Sequence, residues 1–502
     1  MSNIRWLGIG SVVVVAILIA QLSWKGRQSG GAGDNSNSPL VLYCAAGMRP
    51  PVTKILDAYQ AEYNVAVEVE YAGSGALLSQ IRAANQGDLY LAASETYVQQ
   101  AHDLELIDEH APLAKQRAVI VVRKDNPVTS DVDSLETLLS SDARITLANP
   151  DVAAVGRTTR SLLPPEKWTA LWEKKLGSVD TVNLVANHVT TKIADAGIVW
   201  DTTAGQYDAL RVIRVPELDA KAKQISVSVL RCSKQPTAAL RLMRYMTARD
   251  RGLKWFGEFA PDVAQGDKWE QTPELLVFAG GLNRPAIEGI IDEFEKREGV
   301  SVTDSYNGCG ALVGQMKGGS RPDLYFACDV TFMEAVQDLF PESFEVSGTD
   351  MVIITRKDLK GPPVKSLDDL TRDGLRVGFC SPVQSALGAL TKQLLERQQL
   401  WDRVQPNIRD EPPTADVLLS KVIAGGLDAA IVYRANTTRQ AEKLSIVDID
   451  DPSAHAIQPI AVATASDHRQ LAERLMARIR SKEAAERFKQ LGFELREPAS
   501  GE

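Results

Sequence analysis

The chain repeats itself. "YAGSGALLSQIRAANQGDLYLAAS", beginning at Tyr71, and "YNGCGALVGQMKGGSRPDLYFACD", beginning at Tyr306, superpose without a gap. Tyr43 and Phe278, Tyr71 and Tyr306, and Asp88 and Asp323 all stand 235 positions apart, while Trp200 in "DAGIVWD" and Tyr433 in "DAAIVYR" stand 233 apart. Near the ends, "LRLMRYMTARDRGLKWF" and "AERLMARIRSKEAAERF" align at a similar offset. Any fold proposed for this chain therefore has to be built twice from units of roughly 230 residues. The copies divide as residues 39–266 and 274–497, with a junction near "DVAQGDKWEQTPE".

Each copy opens on a short apolar strand, "LVLYCAAG" or "ELLVFAGG", followed by Arg-Pro and a helix. Val52, Ile55, Leu56 and Tyr59, like Ile287, Ile290, Ile291 and Phe294, fall at the spacing of a half-buried helix. Proline at the first turn fits that start. A second strand leads through a glycine turn to another helix and then to "DLYLAAS" or "DLYFACD". Alternating strand and helix predicts a mostly parallel α/β sheet, with ligands at the carboxyl ends of its strands. Gly73 and Gly75 have two readings: a tight turn, or a turn that exposes backbone N–H groups to an anion.

The formal charge of −9 supplies no basic footprint for nucleic acid, and no run of lysine and arginine occurs beyond the N-terminus. Trp6 to Trp24 is nearly continuous apolar sequence, long enough to cross a bilayer core of about 30 Å. Without a lipoprotein cysteine or a small-x-small cleavage site, residues 1–27 read as an uncleaved signal anchor, with flanking charges nearly balanced between the two orientations. Residues 28–38, rich in Gly, Ser and Asn, read as a flexible tether. Five cysteines without a Cys-x-x-Cys pair give neither a disulfide scaffold nor a structural zinc site, and the five histidines show no ligand spacing. Cys309 and Cys380 could border one cleft, Cys328 reads as a small buried hydrophobe, and Trp168 and Trp172 as the packing face of a helix.

Taken in order, "YAGSGALLSQI", "GDLYLAAS", "NPDVAAVGRTTRSLL", "DAGIVW" and "SKEAAERFKQLGF" resemble the periplasmic substrate-binding proteins of the type II class, in their molybdate-binding branch. The resemblance covers both copies. It implies two tandem α/β domains, each of two lobes joined by a hinge, which would follow the N-terminal transmembrane helix read from the apolar stretch. It also implies an oxyanion held in each cleft by hydroxyls and backbone N–H groups. The first-turn serine of the family is replaced by Gly47 and Leu282, and its second serine is matched by Ser74 and replaced by Cys309. Backbone donors correspond to Val155 and Leu387, and to Val189 and Val417; the tyrosine donor is matched by Tyr433 and replaced by Trp200. Each copy thus keeps one side-chain donor.

Arg49 and Arg284 precede the first helix of each copy, where an isolated cation opposes the helix dipole by about 0.3 to 1 kcal/mol. They read either as ligands or cleft gates, or as surface or interlobe salt-bridge partners. Asp151 and Asp416 adjoin cleft segments and are possible acceptors for a protonated anion. The resemblance implies a membrane-tethered, extracytoplasmic binding protein that delivers molybdate or tungstate to the permease of an ABC importer, with no cofactor. The rival reading is a sensor or scaffold with one or both clefts inactive. An enzyme has no support from a G-x-S-x-G, H-E-x-x-H or P-loop motif.

Overall fold

The computed structural model describes residues 38–496. In the first repeat Leu40–Ala45 runs between Val67–Ala72 and Leu89–Ala92, all parallel. The helices Arg49–Tyr63 and Ser74–Ala84 make the crossovers. Pro50 and Pro51 occupy the first turn of Arg49–Tyr63, where a missing N–H costs nothing, and Val52, Ile55, Leu56 and Tyr59 form its buried stripe. The helix stops at Asn64, left-handed at φ 55°, as its counterpart Arg284–Glu298 stops at Gly299 with φ 64°.

The chain leaves this lobe along Ile107–Gln116 and enters the next at Ala118–Arg123. The second lobe has parallel strands Ile145–Ala148, Lys175–Val179 and Ala196–Trp200, flanked by antiparallel Ala118–Arg123 and Leu210–Ile213. The return strand Lys223–Leu230 then pairs antiparallel with Leu89–Ala92 and Ile107–Gln116. The first repeat therefore has separate six- and five-stranded sheets. In the second repeat the crossing strand, Phe344–Arg356, is unbroken and fuses both lobes into one ten-stranded sheet. Arg117 marks the difference: its N–H turns aside to the Asp201 carboxylate at 3.0 Å.

Strand register confirms the repeat. Leu42↔Leu89 and Tyr43↔Tyr90 recur as Val277↔Leu324 and Phe278↔Tyr325, and Ala118↔Trp200 recurs as Met351↔Tyr433. The repeated Asp-Leu-Tyr is a structural device. Asp88 accepts from Val41 N–H (2.8 Å) and the Ser233 hydroxyl (2.6 Å), and Asp323 does the same with Leu276 N–H (2.8 Å) and Ser466 (2.6 Å). Tyr90 donates to the Ser74 carbonyl at 2.8 Å, fixing the glycine turn from behind. The aspartate of "DAGIVW" is likewise bound, Asp195 by Arg144 (2.8 Å) and its counterpart Asp428 by Arg376 (2.6 Å).

The repeats are joined through buried charge. Glu298 accepts from Arg474 Nε (2.7 Å) and Arg244 Nη1 (2.9 Å); Glu298 and Arg244 are buried and Arg474 is mostly so. Burial alone would raise the Glu298 carboxyl, but Arg474 and Arg244 hold it below its ordinary value. Arg297 adds a bidentate pair with Glu109 at 2.5 and 2.8 Å. The Asp267 carboxylate receives the N–H groups of Gln470 and Leu471 at the start of helix Arg469–Ile479.

The expected anchor at residues 1–27 and almost all of the tether lie outside the described residues. Among the described residues no helix is long and apolar enough to cross a membrane.

Candidate functional site

Each repeat has a small cleft between its lobes, lined in the first by residues around Gly47, Ser74 and Trp200 and in the second by residues around Leu282, Cys309 and Tyr433. Three helices start at each. In the first repeat they are Ser74–Ala84, Ala154–Leu162 and Val182–Thr190; in the second, Cys309–Lys317, Ala386–Arg397 and Ala415–Ile423. Five of the six have no side-chain cap; Thr181 alone caps its helix, at Leu184 N–H. First-turn N–H groups lack intrahelical partners and carry partial positive charge, so three converging starts make a ring of donors suited to an anion.

The glycines have a reason beyond the geometry of their turns. Gly73 has φ −66° and Gly308 φ −62°, values open to any residue, so no turn demands glycine. What demands it is the opposite lobe. A Cβ on Gly73 would stand 2.5 Å from Val152 O and 2.7 Å from Asp180 O; one on Gly308 would stand 2.2 Å from Gln384 O and 2.5 Å from Pro413 O. Gly75 N–H donates across the cleft to Val152 O at 2.9 Å. The lobes meet backbone to backbone, and the glycine turns are where they touch.

Matched residues exchange bulk around each cleft. Gly47 leaves room for Val182, since a Cβ there would stand 2.9 Å from Val182 Cγ1; the second repeat places Leu282 opposite Ala415. Ala45 and Ala93 become Gly280 and Cys328, and a Cβ on Gly280 would lie 2.0 Å from the Cys328 sulfur and 2.8 Å from that of Cys309. Ser74 Oγ accepts from Ala93 N–H (3.2 Å), leaving its hydroxyl hydrogen for the cleft it lines; Cys309 Sγ accepts from Cys328 N–H (3.1 Å). Contact with Cys309, and then burial, push the Cys328 thiol well above its ordinary range. The carbonyl behind this turn is served by a glutamine from a different strand in each repeat: Gln116 donates to Ala93 O (2.7 Å), Gln458 to Cys328 O (3.2 Å).

Of the residues singled out from sequence, Gly47, Ser74, Val155 and Trp200 line the first cleft, and Leu282, Cys309, Leu387 and Tyr433 the second. Tyr433 is 2% exposed, and its hydroxyl has no partner among the described residues; burial pushes it well above its ordinary range. Val189 and Val417 are displaced. Val189 is in the last turn of its helix, packed in the core, where its carbonyl accepts from Arg123. Val417 lies two residues past a helix start and outside the lining. The first-turn positions at these helices are Val182 and Ala415, preceded by Thr181 and Thr414.

Neither arginine lines a cleft. Arg49 stacks over Tyr71, 4.0 Å from the ring centre, and Arg284 over Tyr306 at 5.2 Å while bonded to Glu288 at 2.8 Å. Cys328 lines the second cleft and Cys380 does not; burial pushes the Cys380 thiol up to about 12. Sequence reasoning missed Ser385, Asn307 and Asn436, which line the second cleft with Asp416. It also missed Thr203, whose Oγ1 is buried without a partner among the described residues and within 3.0 Å of where a Cβ on Gly47 would stand. Threonine just before an apolar helical run was the available signal at 181 and 414.

The family described as bacterial extracellular solute-binding protein matches residues 40–251 and again 275–494. The chain belongs to that family, as a tandem duplication. This solute-binding protein is 27% identical over 256 residues to the molybdate-binding protein ModA of Mycobacterium tuberculosis, covering 49% of this chain and 94% of that one. It is 22% identical over 260 residues to ModA of Escherichia coli, covering 48% and 99%. A periplasmic molybdate-binding protein of Azotobacter vinelandii is similar over 44% of this chain and 100% of its own, at 20% identity and a TM-score of 0.40. The family is one of binding proteins, not enzymes, and its members need no cofactor.

Proposed function

We infer that this solute-binding protein captures a small tetrahedral oxyanion between the lobes of each repeat, one of the molybdate or tungstate kind in the first, and delivers it to the permease of an ABC importer. The observation that carries the reading is the meeting of three helix starts at each cleft, five of the six without a side-chain cap. The chemistry is closure and release, with no covalent step. In the first cleft the donors are Ser74 and the N–H groups near Val155 and Val182; in the second, Tyr433 and the N–H groups near Leu387 and Ala415. Molybdate and tungstate carry no proton at neutral pH, so a ring of donors suits them. Support for molybdate comes also from the molybdate-binding relatives. The apolar stretch Trp6 to Trp24 would hold the protein at the outer face of the membrane.

Thermal melting of the intact protein tests this. At a ligand concentration one hundred times Kd, linkage gives about 2.7 kcal/mol of stabilisation. Melts unmoved by millimolar molybdate, tungstate, sulfate and phosphate would turn the reading toward a scaffold whose clefts no longer bind.

A further inference from the structure

The two clefts differ in polarity at matched positions. Where the first has Ala72, Ala153 and Trp200, the second has Asn307, Ser385 and Tyr433. Where the first repeat has Asn183 and Thr203, neutral and outside the lining, the second has Asp416 and Asn436, both lining the cleft. Asp416 is exposed and accepts from Asn436 Nδ2 at 3.4 Å, while partial burial pushes its carboxyl above its ordinary value. The Asn436 Oδ1 is buried with no partner among the described residues, and so is the Tyr433 hydroxyl. The second cleft therefore presents acceptors, a carboxylate and an amide oxygen, beside its helix-start donors. No carboxylate lines the first cleft.

An ionised carboxylate can only accept a hydrogen bond. Facing a fully deprotonated anion it finds no proton, and its lone pairs and charge oppose the ligand. Facing an anion that keeps a proton, it receives a charge-assisted hydrogen bond. A carboxylate in the first turn of a helix also favours the helix dipole, which alone would account for an acid at this position. It does not account for an amide beside it that lines the same cleft, nor for the buried Tyr433 hydroxyl left without a partner there.

We propose that the second cleft selects a tetrahedral oxyanion that retains a proton, of which hydrogen phosphate is the simplest, while the first takes a fully deprotonated one. Asp416 accepts the ligand's proton and rejects anions without one. This rests on the reading that the clefts bind oxyanions, and the test separates the two.

The intact protein is titrated by calorimetry with inorganic phosphate, with sulfate and with molybdate at neutral pH, and molybdate is titrated again in saturating phosphate. The expected result is one phosphate event that does not compete with the molybdate event. Asp416→Asn should weaken phosphate roughly ten- to a hundredfold, admit sulfate to the second cleft, and leave the first-cleft molybdate event unchanged. Phosphate affinity within twofold of the parent in Asp416→Asn overturns the proposal, as does phosphate competing with molybdate for a single site. Molybdate binding with no phosphate binding overturns it while leaving the oxyanion reading intact. No heat with any of the three anions overturns both.

Discussion

Replacing Gly73 by alanine should open the first cleft without harming the fold. At φ −66° and ψ 144° the backbone accepts alanine, so the substitution carries no conformational strain. Its cost lies wholly in the other lobe, where the new methyl would stand 2.5 Å from Val152 O and 2.7 Å from Asp180 O. Both obstacles are backbone, so no rotamer relieves the contact. The lobes must separate by about 1 Å to restore ordinary packing distance. Overpacking of this kind costs about 1 to 3 kcal/mol, charged only to the closed state that holds ligand, which converts to a loss of about 5- to 150-fold in affinity. The assay is calorimetric titration of the intact Gly73→Ala protein with molybdate, alongside ligand-free thermal melting as a check on folding. First-cleft affinity equal to the parent's would refute the argument that lobe contact at Gly73 is part of binding. Gly308→Ala, with carbonyl contacts of 2.2 and 2.5 Å, should act on the second cleft in the same way.

Tyr433→Phe should leave the ligand-free protein as stable as the parent or slightly more so, because it removes a buried hydroxyl without a partner, yet weaken second-cleft binding roughly ten- to a hundredfold; unchanged binding would show that the hydroxyl does not reach ligand. Glu298→Gln should cost about 3 to 5 kcal/mol in denaturant unfolding, since Arg244 and Arg474 would remain buried without their countercharge; a loss below about 1 kcal/mol would contradict the account of how the repeats are joined. Hydrogen bonding from Arg144 keeps the Asp195 carboxyl at about 2, against an ordinary 3.8. A carboxylate so depressed stabilises fully above its unfolded value and loses that contribution as pH falls through its folded one, so stability should decline from about pH 4 toward pH 2. Arg144→Gln should flatten that acid limb in a series of thermal melts, and an unchanged limb would assign it to other carboxylates.

The repeat, the parallel strands and the first helix of each copy were legible because they rest on local spacing. The offset of 235 residues predicts that pairing in one copy reappears in the other, and Leu42↔Leu89 with Val277↔Leu324 does so. The purpose of Gly73 was not legible, because its reason is Val152, which is remote in sequence and meets it only when two lobes close. The same holds for Gln116 and Gln458, which serve matched carbonyls from different strands, an exchange that no comparison position by position can detect. The joined sheet of the second repeat was also hidden, since it turns on what Arg117 N–H meets in space.

Within the site, the helix starts marked by a glycine turn, at Ser74 and Cys309, lie on the cleft linings. Val189 lies seven residues past the start of its helix, where the apolar run continues to the helix end, and Thr181 precedes the first turn. Arg49 and Arg284 drew attention as cations at helix starts. Their stacking on Tyr71 and Tyr306 joins neighbouring strand and helix and could be recognised only from coordinates. The buried triad of Glu298, Arg244 and Arg474 also makes the intact chain, rather than its separated halves, the proper object for binding studies.

The most direct test of the central claim, that the converging helix starts are oxyanion sites, is the location of tungstate by anomalous scattering in crystals of the intact protein. The account predicts an anomalous peak in the first cleft, between the first turns of the helices beginning at Ser74, Ala154 and Val182 and in contact with the Ser74 hydroxyl. Tungstate bound elsewhere on the molecule with that cleft unoccupied, or no peak at concentrations that saturate molybdate-binding relatives, would contradict it.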